Sequence, residues 1–345
     1  MKTFTTNIRT VLSVLVLSTL AACNSGNDDR HEVPVTECMV KITPVKDQGD
    51  SNLCWLYAML ATIESDRIMM GDSVHLSPFY TVYCLLERQA EAAYLSRDEA
   101  LLNQRAMAPY ALRLIEDYGL THYAAYNVRT ADMSVLWRKV EKIVADAVNR
   151  RSGIATLRAD VTRALDADLR PKPRHVYLLG AEYTAAQFAR SVCAPGDYVS
   201  LTSFTHHPFG ESIKIEVPDN HSGETFLNVP IDTLEERIDA SLRNGRAVCW
   251  EGDTSEPGFS FQRGYALVEN EEERVSQQER QKDFETFLTT DDHCMEIIGI
   301  ARASHGGKYY ICKNSWGRHN PFGGLMYMSE NYLRRKTVAV VMRRE

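Results

Sequence analysis

Basic residues are in short supply. Lysine and arginine number 39 against 46 aspartates and glutamates, so the formal net charge is −7. Nucleic-acid binders carry a basic excess, and that partner class is therefore set aside. Long apolar runs are missing beyond the first 22 residues, and nowhere later do the roughly 20 apolar residues of a spanning helix occur together. Low-complexity tracts do not dominate. No close cysteine and histidine cluster has zinc-ligand spacing, so neither a structural metal nor any cofactor is expected. At 345 residues, 44% hydrophobic and 25% charged, the chain can still bury a large core, as one large domain or two intimate lobes.

What is present starts at the N-terminus. Lys2 and Arg9 precede a short apolar segment, Val11 to Leu20, the pattern of a secretory signal. Leu20-Ala21-Ala22-Cys23 then resembles the bacterial lipobox, in which the cysteine receives lipid and becomes the first residue after cleavage. The expected organisation is a lipoprotein signal peptide over 1–22, lipidation at Cys23, and a flexible polar tether over 23–39. Asp28 and Asp29 also allow a surface-export reading. The membrane is contacted through the N-terminal lipid only, at a bacterial cell envelope. Eight cysteines are present, and apart from Cys23 and Cys54 their connectivity is not given by sequence.

Along the chain the texture changes once. Val40 to Thr43 reads as a short strand. An apolar helical period runs from about Leu53 to Met70 and stops at Gly71-Asp72. Ser77-Pro78 opens a second helix as cap and first residue. Helices are expected at 97–118 and 132–150, the latter with a core stripe of Leu136, Val140, Ile143, Val144, Ala147 and Val148. After Pro195-Gly196, strands are expected at 197–203, 211–217, 246–250, 294–300, 308–313 and 337–342. Between them lies one helix with Asp232 as its cap, ending at Asn244-Gly245. The charged stretch 269–285 reads as a solvated loop or exposed helix. The expectation is a helical lobe over 40–190 and a β-rich lobe over 191–345, with a ligand cleft between them. His206, His207, His305 and His319 read as loop or surface residues.

One stretch carries chemistry. Gln48 stands six positions before Cys54-Trp55, which opens the apolar helix. A helix N-terminus favours thiolate, the nucleophilic form of cysteine. Such a nucleophile needs a base, and the base an orienting group. His293, just before a strand, and Asn314, in Asn314-Ser315-Trp316-Gly317 just after one, supply both residue types.

Taken in order, Gln48, Cys54-Trp55, His293 and Asn-Ser-Trp-Gly resemble the papain-like cysteine peptidases. Further segments resemble their bleomycin hydrolase and aminopeptidase C branch: Leu76 to Tyr80, Glu116 to Leu120, Asp197 to Leu201, Asn228 to Leu234, Val248 to Asp253 and Phe284 to Met295. The resemblance covers most of residues 44–342. It implies an α+β, two-lobed fold with a helical N-terminal lobe and an antiparallel β-barrel-like C-terminal lobe. It implies Cys54 as nucleophile, His293 as base and acid, Asn314 as orienter, and Gln48 as oxyanion donor. Trp316 would shield the His–Asn bond and Trp55 would support the site. The substrate would be a peptide or protein.

Four departures qualify this. Position 51 is Ser where many relatives have a disulfide-forming Cys. Val341 to Glu345 ends almost directly after the last strand, where family members continue into a tail that makes them aminopeptidases. Relatives are typically hexameric and cytoplasmic, whereas this chain reads as exported; its own oligomeric state is open. The family's Asp-Gly-Gly substrate segment aligns with Gln104-Arg105-Ala106, which makes Arg105 and Ala106 candidate substrate-binding residues. Endopeptidase and aminopeptidase action both stay open, as does acyl transfer to an amine. The competing reading is a catalytically silent papain-like lipoprotein that binds peptides or a partner.

Overall fold

Helix α1 (Cys54–Met69) is buried around its whole circumference, with every residue from Trp55 to Asp66 out of solvent. A helix buried on every face must be covered on every face, and its buried Glu64 and Asp66 must find partners there. The computed structural model describes residues 33–128, 132–178 and 180–344 and supplies that cover; the signal stretch and Cys23 lie outside the described residues. On one side stand α2 (Pro78–Ser96), α3 (Pro109–Tyr118), α4 (Met133–Arg150), α5 (Ile154–Leu169) and α6 (Ala185–Val192). Ser77 caps α2 by accepting the Tyr80 N–H, with Pro78 as its first residue. In α4, Met133, Leu136, Trp137, Val140, Val144 and Ala147 are buried, while Ile143 and Val148 are partly so.

On the other side is one large sheet. Its strands are β1 (Val35–Met39), β4 (Tyr198–Thr202), β5 (Ser212–Ile213), β6 (Phe226–Asn228), β7 (Val248–Gly252), β8 (Phe259–Ser260), β9 (Tyr265–Ala266), β10 (His293–Arg302), β11 (Lys308–Lys313), β12 (Leu325–Ser329) and β13 (Thr337–Arg343). A separate hairpin pairs β2 (Val176–Leu178) with β3 (Ala181–Tyr183). The sheet order is β5-β6-β4-β13-β7-β10-β11-β12-β9-β8, with β1 added to β10. All pairs are antiparallel except β4–β6 and β12–β9. Among the described residues this order has two ends, the two-residue strands β5 and β8, so its hydrogen bonding does not close into a barrel. Cys249 and Cys294 join the core around α1. Val248, Trp250, Met295 and Ile297 instead pack with Leu234, Ile238 and Leu242 of α7 (Ile231–Arg243). The sheet is thus covered on both faces. No described helix is long and apolar enough to cross a membrane.

Several expectations need correction. The first strand lies at 35–39, not 40–43, so the tether as bounded takes in a whole strand. Val40 makes the last pairing there, its N–H donating to the Ile298 carbonyl, and Pro44 beyond it has no N–H to give. Of the expected helix 97–118, residues 99–101 make one 3-10 turn and α3 starts only at Pro109. Side-chain and backbone bonds to Gln104 hold the segment between them against the start of α1. The strand expected at 211–217 shrinks to two residues, because Glu216 turns to His206 and His207. Asp232 does not cap α7; Pro230 precedes its first residue and Asp232 pairs with Arg334 instead.

The charged stretch 269–285 is not merely solvated. It ends in α8 (Gln277–Glu285), whose Arg280, Gln281 and Asp283 are buried. Arg280 donates to the Ser203 and Arg334 carbonyls and stacks its guanidinium on Phe204. Burial, with Arg334 nearby, pulls its pKa down to about 9.

Candidate active site

Cys54 begins α1, where Leu53 stands in the cap position and gives no side-chain cap bond. The uncapped helix end leaves its partial positive charge to the thiol. The Cys54 pKa lies well below the ordinary thiol range. The largest cause is a hydrogen bond with the Cys294 thiol. A bond with His293 and its charge add to this, and together they outweigh burial, which pushes the other way. Cys294 is pushed well above the ordinary range, first by burial and next by Cys54. The proton of the pair therefore sits on Cys294 and the charge on Cys54. Sequence reading missed Cys294, although its place directly after His293 was the available signal. It also missed Glu251 beneath it, whose Oε1 lies 3.4 Å from the Cys294 sulfur. Burial, then Asp291, raises the Glu251 pKa well above the carboxylate range.

His293 opens β10, and its register opposite Gly252 of β7 sets its height in the sheet. A side chain at position 252 would collide with the Lys336 carbonyl, where its Cβ would lie at 2.2 Å. The imidazole Nε2 lies 2.8 Å from Asn314 Oδ1. Asn314 Oδ1 also accepts the Ser315 N–H at 2.7 Å, which fixes that atom as the oxygen. Nε2 therefore carries the proton, and Nδ1 is left for the thiol. Trp316 covers this bond, its ring 4.4 Å from that of His293. Phe259 and Phe261 meet Trp316 edge-on and hold it in place.

Gln48 is buried and held at both ends. Its amide Nε2 donates to the Ser51 carbonyl at 2.6 Å, and its Oε1 accepts the Ser315 hydroxyl at 2.6 Å. An amide nitrogen has two protons, so one is left for the pocket. Ser315, the residue that orients it, lies inside the Asn-Ser-Trp-Gly motif but was given no task by sequence. Gln48, Cys54, Trp55, His293 and Trp316 line one cavity of about 240 Å³. The Trp55 indole N–H donates to the Gln104 carbonyl at 2.8 Å and pins that segment to α1. Arg105 lines the same cavity, with Nε on both Asp219 oxygens at 2.8 and 2.9 Å and Nη2 on the Asp291 carbonyl at 2.6 Å. The Ala106 side chain is buried in the core and lines no part of this cavity, so any contact with substrate there falls to its backbone.

A belt of buried charge ties the thiol side to the imidazole side. Glu64 of α1 is fully buried and pairs with Lys46 at 2.6 Å. Burial would raise its pKa, but Lys46 and Lys313 hold it below the ordinary range. Lys313 of β11 pairs with Glu296 of β10 at 3.2 Å and reaches Thr43 at 3.1 Å. Away from the site, His206, His207 and Glu216 bring three potential metal-ligand atoms within 4.8 Å of one another. Gln281 accepts the Thr205 N–H at 2.6 Å, so its amide nitrogen faces His206 Nδ1. That makes His206 Nε2 a donor to Glu216 rather than a free metal ligand.

A thiolate, an imidazole held by an amide oxygen, and a free amide proton beside them form the apparatus of acyl transfer through a thioester. The helix-and-sheet frame that carries it is papain-like. PepW from Lactobacillus rhamnosis HN001 superposes on it with a TM-score of 0.68 at 17% identity, over 90% of this chain and 82% of that one. The Peptidase C1-like family matches residues 176–345. Aminopeptidase W of Lactobacillus delbrueckii subsp. lactis is 24% identical over 56% of this chain and 46% of its own length. Cysteine proteinase 1, mitochondrial, of Saccharomyces cerevisiae is 24% identical over 87% of this chain and 74% of its own length. The chain thus spans about half of aminopeptidase W and three quarters of the yeast protein. Over residues 176–345 the chain is similar to the Peptidase C1-like family, and over its wider length it resembles the bleomycin hydrolase and aminopeptidase C branch of the papain-like cysteine peptidases.

Proposed function

We propose that this chain is a cysteine-type peptidase, exported and anchored by lipid at Cys23 to a bacterial envelope. Cys54 attacks the scissile carbonyl as thiolate. The Gln48 amide and the Cys54 backbone N–H receive the oxyanion, and donors of this kind contribute roughly 3–4 kcal/mol each. His293, holding at Nδ1 the proton that Cys54 gave up, passes it to the leaving amine, and Nδ1 then takes one from the water that releases the acyl group. Asn314 keeps the imidazole in the useful tautomer, and Trp316 keeps water from their bond. The observation that carries this reading is the His293–Asn314 bond at 2.8 Å beside a thiol whose pKa is lowered. The aminopeptidase names of relatives favour removal of N-terminal residues. Digestion of a peptide mixture, followed by mass spectrometry, tests both points. Stepwise N-terminal trimming that disappears in Cys54→Ala is expected. Unchanged hydrolysis by Cys54→Ala would sink the assignment, and internal cuts would replace the aminopeptidase form of it. Anchoring is tested by metabolic palmitate labelling, expected in the native chain and absent from Cys23→Ser.

A further inference from the structure

A second, larger cavity of about 820 Å³ adjoins the site, and Arg105 and Asp219 line both. Val217, Pro218, Phe284 and Phe287 give it an apolar wall, and four acidic residues line it with one arginine. Three of the four have partners. Asp219 is engaged by Arg105, Glu216 by His206 and His207, and Glu285 accepts from the Gln281 amide at 2.7 Å. Asp291 differs. It is 9% exposed, lines the cavity, and its Oδ2 is buried with no hydrogen-bond partner. Arg105 reaches the Asp291 backbone carbonyl, while its fork is taken up by Asp219. Burial, and next the Asp219 charge, hold the Asp291 carboxyl well above the ordinary carboxylate range, and a ligand that brought a cation to it would reverse that shift.

The rim adds a second sign. Phe287 has φ of 60°, a conformation side-chain-bearing residues rarely adopt, and is 82% exposed. Strained residues of this kind gather at ligand clamps. We propose that this cavity takes a lysine or arginine side chain of the bound peptide, with the cationic head on Asp291 and the aliphatic stem on Phe284 and Phe287. This rests on the peptidase reading for the presence of a peptide beside Cys54.

The test uses the full chain carrying Cys54→Ala and N-acetylated fluorescent peptides that differ at one position. That position holds lysine, norleucine or glutamate and is moved along the peptide. At one position lysine is expected to bind at least roughly tenfold tighter than norleucine, as a desolvated charge pair should, with glutamate weakest. Adding Asp291→Asn should bring lysine and norleucine within about twofold of each other. Equal binding of the two at every position, no binding of any peptide, or a preference that survives Asp291→Asn overturns the proposal. The lysine–norleucine comparison stands even if Asp291→Asn does not fold. A peptidyl epoxide on the chain with Cys54 intact tests the peptidase reading separately. Failure to label Cys54, together with lysine-selective binding, would overturn that reading and keep this one.

Discussion

The two sides of the catalytic pocket are built by different means. The thiol side is local: Gln48, Cys54 and Trp55 lie within eight consecutive positions, and the helix they open is wrapped in one apolar core. The imidazole side is assembled across strands. His293 and Asn314 are 21 residues apart in sequence and meet through the β10–β11 pairing. Buried charge runs through both sides, with Glu64 and Asp66 on α1, Glu296 on β10 and Lys313 on β11, and Arg280 and Arg334 farther off. A local motif gives a nucleophile its chemistry, whereas a base and its orienter depend on register, and register depends on the whole sheet.

Substitutions can break this contrast in order of size. Cys54→Ala removes the nucleophile and should lower peptide hydrolysis by at least roughly 10⁴-fold without loss of the folded state, checked by kcat/KM and circular dichroism. Glu64→Ala cuts the charge belt between the sides and leaves Lys46 and Lys313 buried without it. A loss of about 3–5 kcal/mol is expected in urea unfolding, the cost of an unpaired buried charge. Gln48→Ala acts from the thiol side and should cost about 10²–10³ in kcat, the range for one oxyanion donor. Asn314→Ala acts from the imidazole side and should lower kcat by about 10²-fold with little change in KM, because the base is misplaced rather than removed. Lys142→Ala breaks an exposed pair with Asp146 on α4 and should cost only about 0.3–0.5 kcal/mol.

The same contrast decides what could be read beforehand. The thiol side was legible almost completely, because a helix start, a nucleophile and an amide are written within a few residues. His293 and Asn314 were legible as residue types flanking strands. Cys294 and Glu251 were not, because strand pairing brings them together from 43 positions apart. Asp291 stood in full view, yet its orphaned oxygen depends on where Arg105 and Asp219 go. The charged stretch before β10 misled for a related reason. Charge pattern alone cannot tell a solvated helix from one whose Arg280 finds carbonyls and a Phe204 ring inside the protein.

Cys54 is a thiolate made by its neighbours. The rate at which iodoacetamide alkylates Cys54, followed across pH, tests it most directly. A lowered pKa keeps the charged form at lower pH, so the rate should begin to fall only at a pH well below that at which an ordinary thiol loses its charge. Cys294→Ala removes the largest cause and should move the titration upward. A rate that falls about tenfold per pH unit below about pH 8.5, as for an ordinary thiol, would contradict the account.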